Sequence, residues 1–268
     1  MRRRVRPEAI VLGPEVLDRV ERVLAFHQLT WREGESPAEQ PGPDRPSPWR
    51  VFSEAPATPL PTHLVDLPSP TLGLLRSGMA AIPESQIAPP QDLKTLSTWL
   101  HFSAGVTGSR VVPGGRVALR AVPSGGALYP TEIYVAAFGL KDLESGLYHY
   151  SVREFALRKL RDGGETLHRL RRGRPDLEFL RSCPVAAIIS SVFGRSAWRY
   201  GRRGYRQATL DAGHVVENLS IVATALGMRA QVRLRVPPRP FADLVGLGAD
   251  GPAGEYEGAQ ALVAWTDP

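Results

Sequence analysis

The spacing of apolar residues predicts four helices along the chain. Apolar side chains recur every three to five positions over stretches long enough for helices. These stretches are residues 15–29, 92–105, 166–180 and 205–226. Asp92 is expected to cap the second helix, and Gly105 and Gly227 are expected to end the second and the last.

Short apolar runs between these stretches predict six strands. They lie at residues 132–139, 146–150, 154–160, 185–192, 232–236 and 261–265. The second and third runs flank a short polar turn and are typical of a hairpin. Because strands and helices intermix without regular β-α-β alternation, the pattern predicts an α+β fold with a central mixed or antiparallel sheet flanked by helices.

The first quarter of the chain has a different character. After the predicted first helix, residues 33–70 are rich in proline and have few periodic apolar positions. This composition is typical of an extended arm that wraps the protein body. We therefore expect an N-terminal helix and proline-rich arm at residues 1–70 and one main domain at residues 71–268.

Composition narrows the functional classes. The chain has 268 residues, 43% of them hydrophobic, which is enough for one large core. Its net charge is +6, but the basic residues are scattered and form no aromatic-interleaved stripe, so no nucleic-acid partner is expected. No apolar run has the length of a signal peptide core or a membrane span, so a cytoplasmic protein is expected.

Metal and disulfide sites are not expected either. Cys183 is the single cysteine, which excludes an intramolecular disulfide framework and a multi-cysteine metal site. The six histidines include no H-x-x-x-H or H-E-x-x-H arrangement, so no metal site is predicted. Asp211 and His214 lie three residues apart on the last predicted helix, where a structural hydrogen bond is expected.

The stretch with the most distinctive chemistry is Pro123, Ser124, Gly125 and Gly126, directly before a predicted buried strand. Proline fixes φ and the paired glycines permit positive φ, so this turn can present bare N–H groups beside a hydroxyl. Such a turn is suited to holding a cofactor. An ordinary glycine turn entering a strand remains the alternative.

Three blocks of sequence carry a family resemblance. They are R-x-x-P-S-G-G-A-L-Y-P-x-E-x-Y from Arg120, S-G-L-Y-H-Y at residues 145–150 and R-Y-x-x-R-G-Y-R-x-x-x-L-D-A-G-H at residues 199–214. In this order and spacing they resemble the SagB-type dehydrogenases, a branch of the FMN-dependent nitroreductase-like superfamily, over about residues 93–265. The resemblance implies a nitroreductase-like fold, an FMN cofactor held between two subunits of a homodimer, and oxidation of azolines to azoles in a ribosomally made peptide. It also implies a peptide-modifying complex with a cyclodehydratase as partner.

The resemblance implies a set of cofactor-binding residues. Related flavoproteins hold the FMN phosphate with an R-R-S-x-R cluster, which Arg76 and Ser77 match, while Leu75 and Met79 stand where the family has arginine. The complete implied set is Arg76, Ser77, Arg120, Pro123, Ser124, Gly125, Gly126, Gly227 and Met228.

The family associates a Lys-Tyr pair with its proton chemistry, and Arg199 and Tyr200 occupy the matching positions. Arginine stays protonated and is not an ordinary general base, so Tyr200 is the predicted proton acceptor. A positive neighbour favours the phenolate form of this residue. The alternative is a surface arginine beside a half-buried structural tyrosine.

Two other functions stay open at this point. One is an NAD(P)H-dependent reductase of small nitro compounds or quinones. The other is a flavin-free relative that serves as a scaffold or binding subunit of a peptide-modifying complex, which the changes at Leu75, Met79 and Arg199 favour. The sequence has no G-x-S-x-G, no P-loop and no G-x-G-x-x-G opening a β-α-β unit, so it gives no motif for a hydrolase, an NTPase or a classical dinucleotide-binding protein.

Overall fold

A computed structural model describes residues 14–31, 45–67, 71–76, 91–112, 115–171, 174–234, 236, 238–245 and 256–266. Within these ranges the α-helices α1 to α7 are Pro14–Trp31, Thr71–Arg76, Leu93–Ala104, Gly163–Arg171, Phe193–Tyr200, Gly204–Ala225 and Pro238–Val245. The strands β1 to β9 are Ala57–Pro59, Val106–Val112, Gly115–Arg120, Thr131–Ala137, Gly146–Ser151, Ala156–Asp162, Val185–Val192, Arg229–Arg233 and Glu257–Thr266. Short 3-10 helices lie at Gly125–Ala127, Pro175–Arg181 and Gly201–Arg203.

Seven of the strands form one sheet with the order β1-β6-β5-β4-β7-β9-β8. Every neighbouring pair in this sheet is antiparallel. Strands β2 and β3 form a separate antiparallel hairpin directly before the glycine loop. The predicted α+β class, with a central sheet flanked by helices, is confirmed.

Both faces of the central sheet are covered. Successive side chains of β4 point to opposite faces, so Ile133 and Val135 pack in a cluster with helices α3 and α6, whereas Tyr134 and Ala136 pack in a second cluster with α4 and α7. This two-sided burial explains why β4 and β7 read as continuous apolar runs in the sequence.

Helix α6 is the longest described element, and it matches the predicted helix at residues 205–226. Its buried side includes Ala212, Val215 and Leu219, and the indole of Trp99 on α3 donates a hydrogen bond to the Leu219 carbonyl over 2.8 Å. Leu210 was predicted to lie on the apolar stripe but is 54% exposed, so this part of the prediction is wrong. The spacing of apolar residues puts Leu210 close to the buried side of α6, but no element among the described residues covers it.

The helix predicted at residues 166–180 is broken. Helix α4 ends at Arg171 and a 3-10 helix begins at Pro175, because proline has no N–H for a continuing helix and its ring clashes with the preceding turn. The predicted last-but-one strand, 232–236, is displaced and runs over Arg229–Arg233. The sequence pattern did not predict α2, α5, α7 or the strands β1, β2 and β3.

The described N-terminal segments lie against the body. Arg206 of α6 donates a hydrogen bond to the Thr30 hydroxyl of α1 over 2.9 Å. The Ser97 hydroxyl of α3 donates to the Pro61 carbonyl of the arm over 2.6 Å, and β1 of the arm forms one edge of the sheet by pairing with β6. The rest of the predicted arm, residues 33–44 and 68–70, lies outside the described residues. Among the helices described here, none has the length and hydrophobicity needed to cross a membrane.

Candidate functional site

The glycine loop has an unusual backbone. After Ser124 the chain makes a single 3-10 turn, and φ is positive at Gly126 (63°), Ala127 (52°) and Tyr129 (45°). A left-handed conformation costs a residue with a Cβ roughly 1 kcal/mol. Such strain persists only where the surrounding structure holds the backbone in place.

Asp211 of α6 holds this loop. The Ser124 hydroxyl donates to Asp211 Oδ2 over 2.6 Å, and the Gly125 N–H donates to Asp211 Oδ1 over 3.2 Å. The same hydroxyl accepts a hydrogen bond from the Tyr129 N–H over 2.9 Å. Burial raises the pKa of Asp211, and the two hydrogen bonds from the loop oppose this shift. The carboxylate therefore fixes the loop to the long helix.

The predicted hydrogen bond between Asp211 and His214 is not formed. His214 instead donates from Nδ1 to the Leu210 carbonyl over 2.8 Å, within its own helix. The Asp211 carboxylate binds the loop instead, because the loop provides two hydrogen-bond donors, the Ser124 hydroxyl and the Gly125 N–H.

Four N–H groups of the loop are hydrogen-bonded within the protein. The N–H of Ala127 donates to the Ser124 carbonyl and that of Leu128 to the Gly125 carbonyl, while the N–H groups of Gly125 and Tyr129 bind the Asp211 and Ser124 side chains. The prediction of bare N–H groups beside a hydroxyl is therefore wrong at these four positions. These groups stabilise the strained backbone.

Ser124→Ala is accordingly expected to destabilise the protein. It removes the hydroxyl that joins Asp211 to the Tyr129 N–H, and we expect the free energy of unfolding to fall by about 1–3 kcal/mol. Urea denaturation measures this difference. Ser53→Ala is the matched control, because Ser53 is exposed and, in the part of the chain that the structure describes, its hydroxyl donates to the neighbouring Glu54 alone. Equal stability of the two variants would contradict the role of Ser124.

Arg199 and Tyr200, the predicted catalytic pair, lie directly against the loop. A Cβ placed on Gly126 would be 3.0 Å from the Tyr200 hydroxyl and 3.1 Å from Arg199 Cδ. Helix α5 ends at Tyr200 because Gly201 takes a φ of 53°, which turns the chain toward α6. The structure thus brings the Gly125–Gly126 pair into contact with the Arg199–Tyr200 pair, although more than seventy residues separate the two pairs in the sequence.

The Arg199 side chain is exposed and that of Tyr200 is half-buried. The guanidinium carbon of Arg199 lies 5.9 Å from the centroid of the Tyr200 ring, within range of a cation–π interaction. Gln207 of α6 completes this corner, since a Cβ on Gly125 would lie 3.3 Å from Gln207 Oε1. Sequence reasoning missed Gln207, although it lies seven residues after Tyr200 in the same motif.

Arg120 is buried between the N-terminal arm and the glycine loop. It is 8% exposed, and its guanidinium lies 4.7 Å from the Trp49 ring centroid and 4.5 Å from that of Tyr129. Its Nη2 donates to the Pro48 carbonyl over 2.8 Å. Burial lowers the pKa of Arg120, with Glu132 opposing the shift. Arg120 therefore ties the N-terminal arm to the loop.

The other predicted cofactor residues are dispersed. Pro123 is exposed at the start of the loop, and Arg76 is exposed at the end of α2, a helix that packs on α6. Ser77 lies outside the described residues. Gly227 and Met228 follow the far end of α6, roughly 20 Å along the helix axis from Asp211. Within one subunit the structure does not bring these two residues to the loop.

A buried group of charges beneath the loop was not predicted. Arg195 Nη1 donates to Glu132 Oε1 over 2.6 Å and to the Tyr129 carbonyl over 2.9 Å, and His149 Nε2 lies 2.9 Å from Glu132 Oε2. Burial would raise the pKa of Glu132, but Arg195 and His149, with Arg120, outweigh it and hold the pKa at about 2. The signal in the sequence was a glutamate inside a buried strand, which requires a charged partner.

Comparison with known proteins places these features in a family. A model of the nitroreductase family matches residues 90–252. The chain is 33% identical over 139 residues to MJ1384 of Methanocaldococcus jannaschii, which is named as a nitroreductase, and the match covers 52% of this chain and 66% of that protein. It is 33% identical over 150 residues to the trifolitoxin-processing protein TfxB of Rhizobium leguminosarum bv. trifolii, covering 54% and 40%. It is 30% identical over 118 residues to the microcin B17-processing protein McbC of Escherichia coli, covering 42% and 43%.

The matched regions thus span between 40% and 66% of these three relatives. Among solved structures, a protein of Anabaena variabilis that is named as a nitroreductase superposes on this chain with a TM-score of 0.71 and 29% sequence identity. The match covers 91% of this chain and 46% of that protein. The E. coli microcin synthetase McbBCD complex bound to truncated pro-MccB17 contains a chain that matches with a TM-score of 0.56 at 18% identity, covering 96% and 94%, a likeness of fold alone.

These matches confirm the resemblance that the three sequence blocks indicated. The family model covers more than half of the chain, including the glycine loop, the Arg199–Tyr200 pair and helix α6. The chain therefore belongs to the nitroreductase family.

Proposed function

We propose that this protein is an FMN-dependent oxidoreductase that dehydrogenates azolines to azoles in a ribosomally made peptide. The observation that carries the proposal is the contact of Arg199 and Tyr200 with the Gly125–Gly126 backbone. The relatives named for the processing of trifolitoxin and microcin B17 support a peptide as the substrate class.

The residues present fit a flavin in two respects. Because Gly126 has no side chain, a ligand can approach its backbone beside the Tyr200 hydroxyl, where a Cβ would otherwise stand. Arg76 and Arg199 are exposed guanidinium groups of the kind that bind phosphate. We propose that these residues hold FMN, with Gly227 and Met228 contributed across a homodimer interface and Ser77 beside Arg76.

Conversion of an azoline to an azole removes a hydride and a proton from two ring atoms and leaves an aromatic ring. FMN, when bound, supplies the acceptor for the hydride. The protein has to orient the peptide ring and remove the proton. Tyr200 is the group proposed to take that proton, because its hydroxyl lies beside Gly126 of the loop and the adjacent Arg199 stays charged and is not an ordinary base.

The inward direction of the loop donors favours a second candidate. Four N–H groups and the Ser124 hydroxyl bind within the protein, and Leu75 stands exposed where related proteins have a phosphate-binding arginine. A flavin-free scaffold subunit of a peptide-modifying complex would have the same features. In either case we propose a cyclodehydratase complex as the partner.

Flavin binding separates the two candidates. The flavin proposal predicts that the purified protein is yellow or binds added FMN at micromolar concentration, measured by absorbance and titration calorimetry. Gly126→Ala should weaken FMN binding at least about tenfold, because the new methyl group lies 3.0 Å from the Tyr200 hydroxyl and the backbone has positive φ.

Gly213→Ala is the matched control for this experiment. Gly213 lies on α6, and a Cβ there meets no atom within 4 Å, so FMN affinity should be unchanged. A parent protein that remains colourless and binds no FMN would contradict the flavin proposal and favour the scaffold.

A further inference from the structure

A cleft of about 440 Å³ lies between the N-terminal arm and the start of helix α5. It is lined by Pro46, Ser47, Trp49, Arg50, Val51, Phe52, Val192 and Arg195. The volume falls within the range of small-molecule binding sites. Its walls combine apolar and aromatic side chains with polar groups, among them two arginines.

Arg195 is the key group in this cleft. Its side chain is only 5% exposed, and its two hydrogen bonds to protein, to the Tyr129 carbonyl and to Glu132, both use Nη1. Among the described residues, Nε and Nη2 of Arg195 form no hydrogen bond to protein, and the Arg195 side chain lines the cleft. These two nitrogens form one edge of the guanidinium, whose parallel N–H bonds match the two oxygens of a carboxylate.

We propose that the cleft is a binding site for a carboxylate carried on an apolar or aromatic body, with the free edge of Arg195 forming a two-point hydrogen bond to the carboxylate. Trp49, Phe52 and Val192 provide contact area for the body of the ligand. An acidic side chain in an apolar stretch of the proposed peptide substrate belongs to this class; that assignment of the source rests on the proposed function, whereas the site itself does not.

Benzoate is the probe for this site, and benzamide is its neutral counterpart with the same ring. Titration of the full-length protein, followed by calorimetry and saturation-transfer NMR, should show saturable binding of benzoate at one site and at least about tenfold weaker binding of benzamide. The measurement requires neither flavin nor turnover, so its outcome is independent of the proposed function.

Arg195→Lys tests the contact itself. Lysine keeps a positive charge beside Glu132 but lacks the planar edge, so the variant should fold and bind benzoate at least about tenfold more weakly. Arg110→Lys is the control, since Arg110 is exposed on β2 and should leave binding unchanged. Unchanged binding in Arg195→Lys, equal binding of benzamide, absence of benzoate binding, or displacement of benzoate by a lower concentration of inorganic phosphate would each overturn the proposal.

Discussion

Replacing Tyr200 with phenylalanine is expected to slow azoline oxidation by about a hundredfold or more, the usual effect of losing a general base. The substitution keeps the ring against the glycine loop and removes only the hydroxyl, which would lie 3.0 Å from a Cβ on Gly126. FMN affinity and the free energy of unfolding should therefore change little. Mass spectrometry of an azoline peptide measures the rate directly, because each ring oxidised loses about two mass units.

Two variants serve as controls for this prediction. Tyr205→Phe removes a hydroxyl from an exposed tyrosine, 45% accessible, in the next helix and should leave the rate unchanged. Arg199→Lys restores the pair found in the family and should maintain or raise the rate. A Tyr200→Phe enzyme as fast as its parent would mean that the proton leaves by another group.

Glu132→Gln is expected to lower the free energy of unfolding by about 3–5 kcal/mol at neutral pH. It leaves the guanidinium of Arg195 buried without the carboxylate that lies 2.6 Å from it, and it weakens the contact with His149. Urea denaturation measures the loss. Glu54→Gln is the control, since Glu54 is exposed, and should cost far less.

The same carboxylate predicts a dependence of stability on pH. The pKa of Glu132 is held at about 2 in the folded protein, against 4.5 as its ordinary value. A carboxyl with a depressed pKa stabilises the folded state above the unfolded pKa, so its contribution should be complete above about pH 4.5 and disappear as the pH falls toward 2. Glu132→Gln should remove this part of the pH profile, and an identical profile in parent and variant would contradict the assignment.

The sequence predicted the elements that are long or buried on both sides. Helix α6 and strands β4 and β7 have strong periodicity or continuous apolar character, because each is covered by neighbours over most of its length. The β2–β3 hairpin was missed because it is separate from the main sheet and largely exposed, so it lacks a clear hydrophobic pattern. Helix α4 was predicted too long because its periodicity continues through Pro175.

The sequence predicted which residues form the candidate site, but it did not predict which way their hydrogen-bonding groups point. Pro123, Ser124 and the paired glycines identified the loop, and the motif identified Tyr200. The partner of Ser124 is Asp211, 87 positions away, and local spacing instead predicted a bond within the helix. Which way a hydroxyl or N–H points depends on such distant partners, so the sequence could not indicate that the loop donors turn inward.

The proposed activity is the transfer of a hydride from a peptide azoline to bound flavin. Anaerobic mixing of the FMN-loaded protein with an azoline peptide, without any other reductant, tests it most directly in a single turnover. We expect the visible flavin band to bleach in proportion to the rings that lose about two mass units. A band that stays unchanged with the peptide but bleaches with NADH or NADPH would contradict the proposed activity and identify a small-molecule reductase instead.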